Sequence, residues 1–510
     1  MVGAQDAVAI SVGPVPGTNG ATAVFPEEIV SRIFEYYMEE RPEFSGCKSL
    51  SQILSTAPTP YTLRLVCSDW NAIALNTPSL WTTIHVAVYI ASRHWYKAAL
   101  PFTSKKHMQA VRACLGRARN HPCSIYIHAF ERPTGKITLR PTRAVTVVDL
   151  VDCISTTRMK QVYLNGDHVA LLHPLALVTF SHTTSLVISK KRWTERTLRF
   201  PKFPALRKVV FQLPHLPPNG DCRHMLPWMQ LTHLYCEHTI SPIFIETILS
   251  YCQLLQKAAF HTKAMNANEV GWQPLRQSAH ILGDLTHLYF IGEFPLNHAF
   301  AIEMPKLSHL RIVHGGGPMT WNQVNLDKFA SLTFLRLHGI TGNLASHLIP
   351  ILDAAPLLSR LELGFMRWVE ADTIFDFFIF DPAEPRATKL EHLELQLHLG
   401  TKGSKAREKS VVVTNSLWAM IKSRMDGDGS REDLVQCAAL KSLTLLVPAS
   451  PGRAVQDDVD DVRSVLDEFY GRLEYNVLET PGQRDFSSGF GTSLRHWDDG
   501  FEEVLNRLHI

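Results

Sequence analysis

A short phrase, apolar-x-x-apolar-x-apolar, returns eleven times along the chain. It reads MKQVYL at 159, TTSLVI at 183, LRKVVF at 206, LTHLYC at 231, LQKAAF at 255 and LTHLYF at 285. It continues with LSHLRI at 307, LTFLRL at 332, LSRLEL at 358, LEHLEL at 390 and LKSLTL at 440. Between 159 and 358 the mean step is about 25 residues, and the last two steps lengthen to 32 and 50. Alternation within each phrase predicts a strand with one face in a core. SPIFIETILSYCQLLQ (241–256) and TGNLASHLIPILDAAPLLS (341–359) follow Pro- or Gly-marked turns and predict helices. The chain therefore reads as stacked strand–helix units, with Leu234, Leu288, Leu310, Leu335, Leu361 and Leu393 directed into one core. CSIYIHAF (123–130) predicts an earlier strand, 85–122 a helical connection, and VDDVRSVLDEFYGRLEY (459–475) a closing helix. The step of 50 holds GTKGSKAREKS (400–410) and MDGDGSRED (425–433), whose polar, Gly-containing composition predicts a mobile insertion near 400–433.

The N-terminal region has a different pattern. In FPEEIVSRIFEYY (25–37), Ile29, Ile33 and Tyr37 recur every four residues beside Val30 and Phe34. That is a wide apolar helical face, started by Pro26 and two glutamates that suit the helix dipole. Leu63, Val66, Cys67, Trp70, Ile73 and Ala74 repeat the spacing and predict a second helix, stopped at Pro78. Leu80 and Trp81 follow as an apolar hook, and 38–60 reads as a long loop. So small a module buries this much apolar surface only with help from a partner.

Composition narrows the classes. A chain of 510 residues exceeds one ordinary core, and 45% hydrophobic with 19% charged residues indicates a folded protein. A formal charge of +3 argues for neither nucleic acid nor membrane as partner. Nine cysteines without a C-x-x-C pair suggest reduced thiols, not a zinc or disulfide framework. The first 24 residues lack Lys and Arg, and no apolar run approaches the roughly 20 residues of a bilayer span, which together predict a cytoplasmic or nuclear protein. HGGG (314–317) has the form of an esterase loop, but no G-x-S-x-G accompanies it, and DGDGS (426–430) lacks the Gly and Glu that a calcium loop needs at its sixth and twelfth positions. No cofactor or metal site is predicted.

The ordered blocks Phe25-Pro26-x-Glu28-Ile29-x-x-x-Ile33-Phe34, Leu63-x-x-Val66-Cys67-x-x-Trp70-x-x-Ile73-Ala74 and Pro78-x-Leu80-Trp81 resemble an F-box of the fungal type, with Phe-Pro where Leu-Pro is usual. The repeat phrase resembles leucine-rich repeats, whose period is about 20–29 residues. These resemblances imply an α/β architecture: a flexible tail (1–22), an F-box (23–84), the connection (85–122), a leucine-rich-repeat-like solenoid (123–475) and a C-terminal extension (476–510). They also imply docking to a Skp-type adaptor of a cullin–RING ubiquitin ligase through Phe25, Pro26, Ile29, Ile33, Leu63, Val66, Cys67 and Trp70. Leu80 and Trp81 would join the module to the repeats. The repeat domain would bind a protein substrate, with no chemistry of its own; the alternative is a scaffold without a ubiquitination role. Strand alternation directs Lys208, Gln212, His233, Tyr235, His287, Tyr289, His309, Arg311, Phe334, Arg336, His338, Arg360, Glu362, His392, Glu394 and Gln396 to the open face, where substrate would sit.

Overall fold

The computed structural model describes residues 25–39, 59–90, 102–131, 144–165, 178–189, 202–212, 226–240, 242–262, 281–292, 302–313, 326–338, 344–381, 385–398, 405–425, 438–448 and 474–480, with isolated positions at 175, 383 and 463–473. The expectations for 1–22, 314–317, 426–430 and most of 38–60 lie outside these residues.

One sheet runs through the described chain. Its strands are β1 (Thr83–Ile90), β2 (Phe102–Ser104), β3 (Cys123–Glu131), β4 (Ala144–Thr146), β5 (Met159–Asn165), β6 (Ser185–Ser189), β7 (Lys208–Gln212) and β8 (His233–Ile240). They continue as β9 (Lys257–Thr262), β10 (His287–Gly292), β11 (His309–Val313), β12 (Phe334–His338), β13 (Arg360–Arg367), β14 (His392–His398), β15 (Ser442–Pro448) and β16 (Glu474–Thr480). Fourteen of them, β1, β3 and β5 to β16, are parallel and neighbour one another in chain order; β2 and β4 add an antiparallel edge beside β1. This is the solenoid-like α/β arrangement that the repeated phrase predicts.

Register explains the core. Ile84, Ile125, Val162, Leu186, Val209, Leu234, Ala258, Leu288, Leu310, Leu335, Leu361, Leu393 and Leu443 lie in one line across the strands, and nearly all are excluded from solvent. Two residues on, a second apolar line includes Phe211, Cys236, Phe260, Phe290, Ile312, Leu337 and Leu363. Helices cover these two lines: α6 (Pro242–Tyr251), α7 (Leu344–Asp353), α8 (Trp368–Phe378) and α9 (Lys405–Met425) place Ile248, Ile351, Phe375 and Met420 in the same core. The preceding elements are α1 (Glu27–Glu39), α2 (Pro60–Leu63), α3 (Ser68–Asn76), α4 (Lys105–Ala118) and α5 (Val147–Ser155).

A hydroxyl ladder ties the units together. Thr184, Thr232, Thr286, Ser308, Thr333 and Ser359, each just before its strand, donate to the carbonyls of Lys160, Arg207, Gln256, Thr286, Ser308 and Thr333 at 3.1–3.3 Å. Each bond crosses to the previous unit and adds a side-chain donor to a carbonyl that already accepts backbone N–H groups where the strand ladder begins.

Three expectations change. The span 85–122 is only partly helical: β1 and β2 precede α4, and the alternation in TIHVAVYI buries Ile84, Val86 and Val88 in the core. The insertion near 400–433 contains α9, whose last turns bury Leu417, Met420 and Ile421 against α8. There Arg424, 1% exposed, donates from Nε to the Phe378 carbonyl at 2.8 Å and from Nη1 to that of Ala387 at 3.1 Å. The closing segment 459–475 does not stay helical to its end: Gly471 turns at φ +82° and β16 begins at Glu474, carrying the sheet past 475.

Candidate protein-docking surfaces

The first surface is built by two small helices and a hook. Val30 and Phe34 turn inward from α1, and the Phe34 ring meets Trp70 edge-on at 4.8 Å. Polar contacts fix the packing: the Thr77 hydroxyl donates to the Ile73 carbonyl at 2.8 Å, so the Ser31 hydroxyl donates to Thr77 at 3.2 Å, and Ser79 donates to Glu35 at 2.7 Å. With those faces used, α1 leaves Ile29, Ile33 and Tyr36 on its outer side, and Phe25 just before the helix is exposed as well, all between 46% and 78% exposed. The spacing of four and three residues from Ile29 to Ile33 to Tyr36 makes one helical stripe.

The predicted second helix is split. Cys67 is extended, and its Sγ accepts from the Trp70 backbone N–H at 3.5 Å, so α3 starts afresh at Ser68 with Asp69 in its first turn. The turn between α2 and α3 carries Leu65 and Val66, 85% and 58% exposed. Of the eight residues expected to meet an adaptor, Phe25, Pro26, Ile29, Ile33, Val66 and Cys67 are exposed. Leu63 is not: at 5% exposure it belongs to the core. Trp70 is half-buried against Phe34, which gives it a structural task. Tyr36 and Leu65 were not among the expected residues; Tyr36 is three residues beyond Ile33, the helical spacing that marks it.

Trp81 lies at the junction with the sheet. It is 1% exposed, its Nε1–H donates to the Ala74 carbonyl at 2.8 Å, Tyr61 meets it edge-on at 5.4 Å, and the Arg117 guanidinium of α4 covers it at 4.5 Å.

The second surface is the sheet face opposite the helices. One line of it, at the strand starts from β7 to β14, reads Lys208, His233, Lys257, His287, His309, Phe334, Arg360 and His392. The next line on that face reads Val210, Tyr235, Ala259, Tyr289, Arg311, Arg336, Glu362 and Glu394 over the same strands. It extends backwards through Val187, Tyr163 and Tyr126 to His85, an aromatic beginning that the alternation in β1 and β3 encodes.

This face is far less open than alternation alone suggests. Tyr235 and Tyr289 are 0% and 1% exposed and form a second apolar cluster with Val187, Val210, Ala259 and Ile291. His233, Arg311, Phe334, His338 and Glu362 are also buried, whereas His287, His309, Arg336, His392 and Glu394 are half-buried and Arg360 is exposed. Apolar side chains in the middle strands and ion pairing further along account for the burial. Glu362 binds Arg360 at 2.7 Å and Arg336 at 3.1 Å, while Arg311 and Arg360 lie over the Phe334 ring at 4.8 and 5.6 Å.

Burial, reinforced by Arg336, lowers the Arg311 pKa to about 10. Burial and then Glu362 raise that of Glu394. His309 is lowered to about 4 by burial, then by Arg311 and Lys257. Its ring stacks on His287 at 4.1 Å, a geometry that disfavours two protonated rings. Among the described residues no group of three or more His, Cys, Asp or Glu could hold a metal ion, and no helix is long and apolar enough to cross a membrane.

Comparison with protein-family models and with curated proteins finds no match to the chain.

Proposed function

We propose that this chain is the substrate-recognition subunit of a Skp–cullin–F-box ubiquitin ligase. Its N-terminal helices dock a Skp-type adaptor, and the sheet face opposite the helices binds a protein. The observation that carries the reading is the stripe Ile29, Ile33 and Tyr36, with Phe25 exposed just before it and Leu65 and Val66 exposed in the turn after α2. These side chains stay in water although the other sides of the same helices are packed, which marks a surface kept for a partner. Its motif is the one that resembles an F-box. The chain contributes proximity, holding a substrate near ubiquitin activated by other subunits.

The test is affinity purification of the full chain from cells, read by mass spectrometry, beside Ile29→Asp/Ile33→Asp. Adaptor and cullin recovered with the wild type and lost with the variant support the reading. Their absence from the wild-type sample overturns it. An adaptor without cullin favours the scaffold alternative.

A further inference from the structure

The turns that lead into the strands line one edge of the sheet, and charge is spread unevenly along it. Around the starts of β3, β5 and β7 stand Arg119, Arg158, Lys160, Lys202 and Arg207, all exposed. The described turn residues from β3 to β9 (119–122, 155–160, 181–184, 202–207, 226–232 and 252–256) include no Asp or Glu. Among the described residues no carboxylate pairs with any of the five cations. Later turns differ: Lys306 pairs with Asp284 at 2.7 Å, and Lys441 with Glu391 at 2.8 Å. Between the two regions the edge turns apolar. Met229, Leu254 and Ile281, before β8, β9 and β10, are 63%, 46% and 57% exposed. Arg207 joins the basic and apolar parts, because its Nη1–H donates at 3.0 Å to the carbonyl of Gln230, the residue after Met229. Arg119 supplies an observation of another kind. It ends α4 at φ +54°, where a side chain strains the backbone and glycine is the usual residue. Glycine would serve the turn better, so the cation and not the backbone accounts for the residue.

We propose that this edge docks a segment of a partner protein that is acidic at one end and apolar at the other. The surface is distinct from the sheet face assigned above, and the inference does not rest on the ligase reading. Exposed guanidinium and ammonium groups without a carboxylate take Asp and Glu side chains. Three exposed aliphatic side chains on successive turns take an apolar stretch. Their segregation selects the partner. A bilayer is laterally uniform, with headgroups and acyl chains at every point of contact, and gains nothing from cations and apolar groups set apart along an edge. A nucleic acid is charged along its whole length, and Met229, Leu254 and Ile281 offer its bases no aromatic ring to stack on. From β3 to β10 the sheet takes six steps of about 4.8 Å, roughly 29 Å in all, the reach of about nine extended residues at about 3.3 Å each.

The experiment is selection of random dodecapeptides displayed against the immobilised full chain. Binding of the selected peptides is then compared by fluorescence anisotropy for wild type, Arg158→Glu/Lys160→Glu and Met229→Ser/Leu254→Ser. The expected peptides carry Asp and Glu at one end and apolar residues at the other, and each variant binds them roughly tenfold more weakly. Thermal melting within a few degrees of wild type shows that the fold is kept; Arg158→Gln/Lys160→Gln replaces the charge reversal if that one melts lower. Arg119→Gly separates recognition from folding. It relieves the strained turn, so the melting temperature should hold or rise while peptide binding weakens roughly threefold. A lower melting temperature with unchanged binding overturns the role of Arg119. No enrichment over a bare surface, or equal binding by all the proteins, overturns the assignment of the edge. Selected peptides lacking either the acidic or the apolar end overturn the class of partner. Vesicles of equal parts phosphatidylcholine and phosphatidylserine, or a labelled single-stranded oligonucleotide, overturn the choice of a protein if they bind more tightly than the peptides and depend on Arg158 and Lys160.

Discussion

Replacing Trp81 by Ala should uncouple the N-terminal helices from the sheet. The indole is 1% exposed, and truncating a buried tryptophan costs about 3–5 kcal/mol. That sum contains the edge-on contact with Tyr61, the Arg117 guanidinium at 4.5 Å and the bond to the Ala74 carbonyl. Trp81→Phe separates the parts: it keeps most of the ring but strands the carbonyl, at about 1–2 kcal/mol. Amide hydrogen exchange followed by mass spectrometry reads the effect locally. Segments 68–81 and 105–118 should exchange roughly 10²- to 10³-fold faster in Trp81→Ala, while strands β9 to β12 keep their protection. A change below about 1 kcal/mol, or equal loss of protection in β9 to β12, would refute the assignment of Trp81 to this joint.

Two further predictions concern the sheet. Burial lowers the His128 pKa to about 4, so the unfolded chain binds a proton that the folded chain resists. Its contribution is intact above about pH 6.5 and is lost as pH falls toward about 4, up to about 3 kcal/mol. Urea midpoints between pH 7.5 and 4.5 should fall less steeply in His128→Phe, and parallel curves would contradict the argument. At Gly364 an added Cβ would lie 2.4 Å from the buried His338 ring, so Gly364→Ala should cost about 1–3 kcal/mol. Shortening the ring, in Gly364→Ala/His338→Ala, should recover part of that loss in a double-mutant cycle; strict additivity would show that the two do not meet.

The sheet was largely legible in the sequence because one period serves two purposes. Most phrases bury their first leucine in the turn, as at Leu231, Leu285, Leu307, Leu332 and Leu358, and their next apolar residue in the strand. Eleven phrases therefore correspond to eleven strands, β5 to β15. β1 escaped because it follows the helical hook without the leading leucine, and β16 because its strand follows a segment with helical spacing. α9 was hidden by composition: its charged start looks like a solvated loop, and the burial of Arg424 is a tertiary effect that no local pattern encodes.

The candidate sites were legible to different degrees. Periodicity predicted a wide apolar face on α1 through Ile29, Ile33 and Tyr37, the motif resemblance singled out Ile29 and Ile33 on it, and Tyr36 was missed because the expected series ran through Tyr37. Periodicity could not separate Ile33 from Phe34 by chemistry, nor foresee the cap at Cys67 that turns Leu65 outward. On the sheet, alternation assigned the face correctly but not its burial. Tyr235 and Tyr289 carry hydroxyls that suit a wet surface, yet they sit among Val187, Val210 and Ile291. Ion pairs such as Arg336–Glu362 depend on strands being neighbours in space, which the repeat spacing implies only after register is known.

The central claim is that the outer side of α1 meets a Skp-type adaptor. Isothermal titration of purified full-length protein with purified adaptor tests it directly, comparing wild type with Ile29→Asp/Ile33→Asp. Each isoleucine keeps nearly half its surface exposed, so covering both is worth about 2–3 kcal/mol together. The account predicts a measurable Kd that weakens roughly 30- to 150-fold in the variant, with the melting temperature of the free protein unchanged. No binding by the wild type, or equal binding by both proteins, would contradict it.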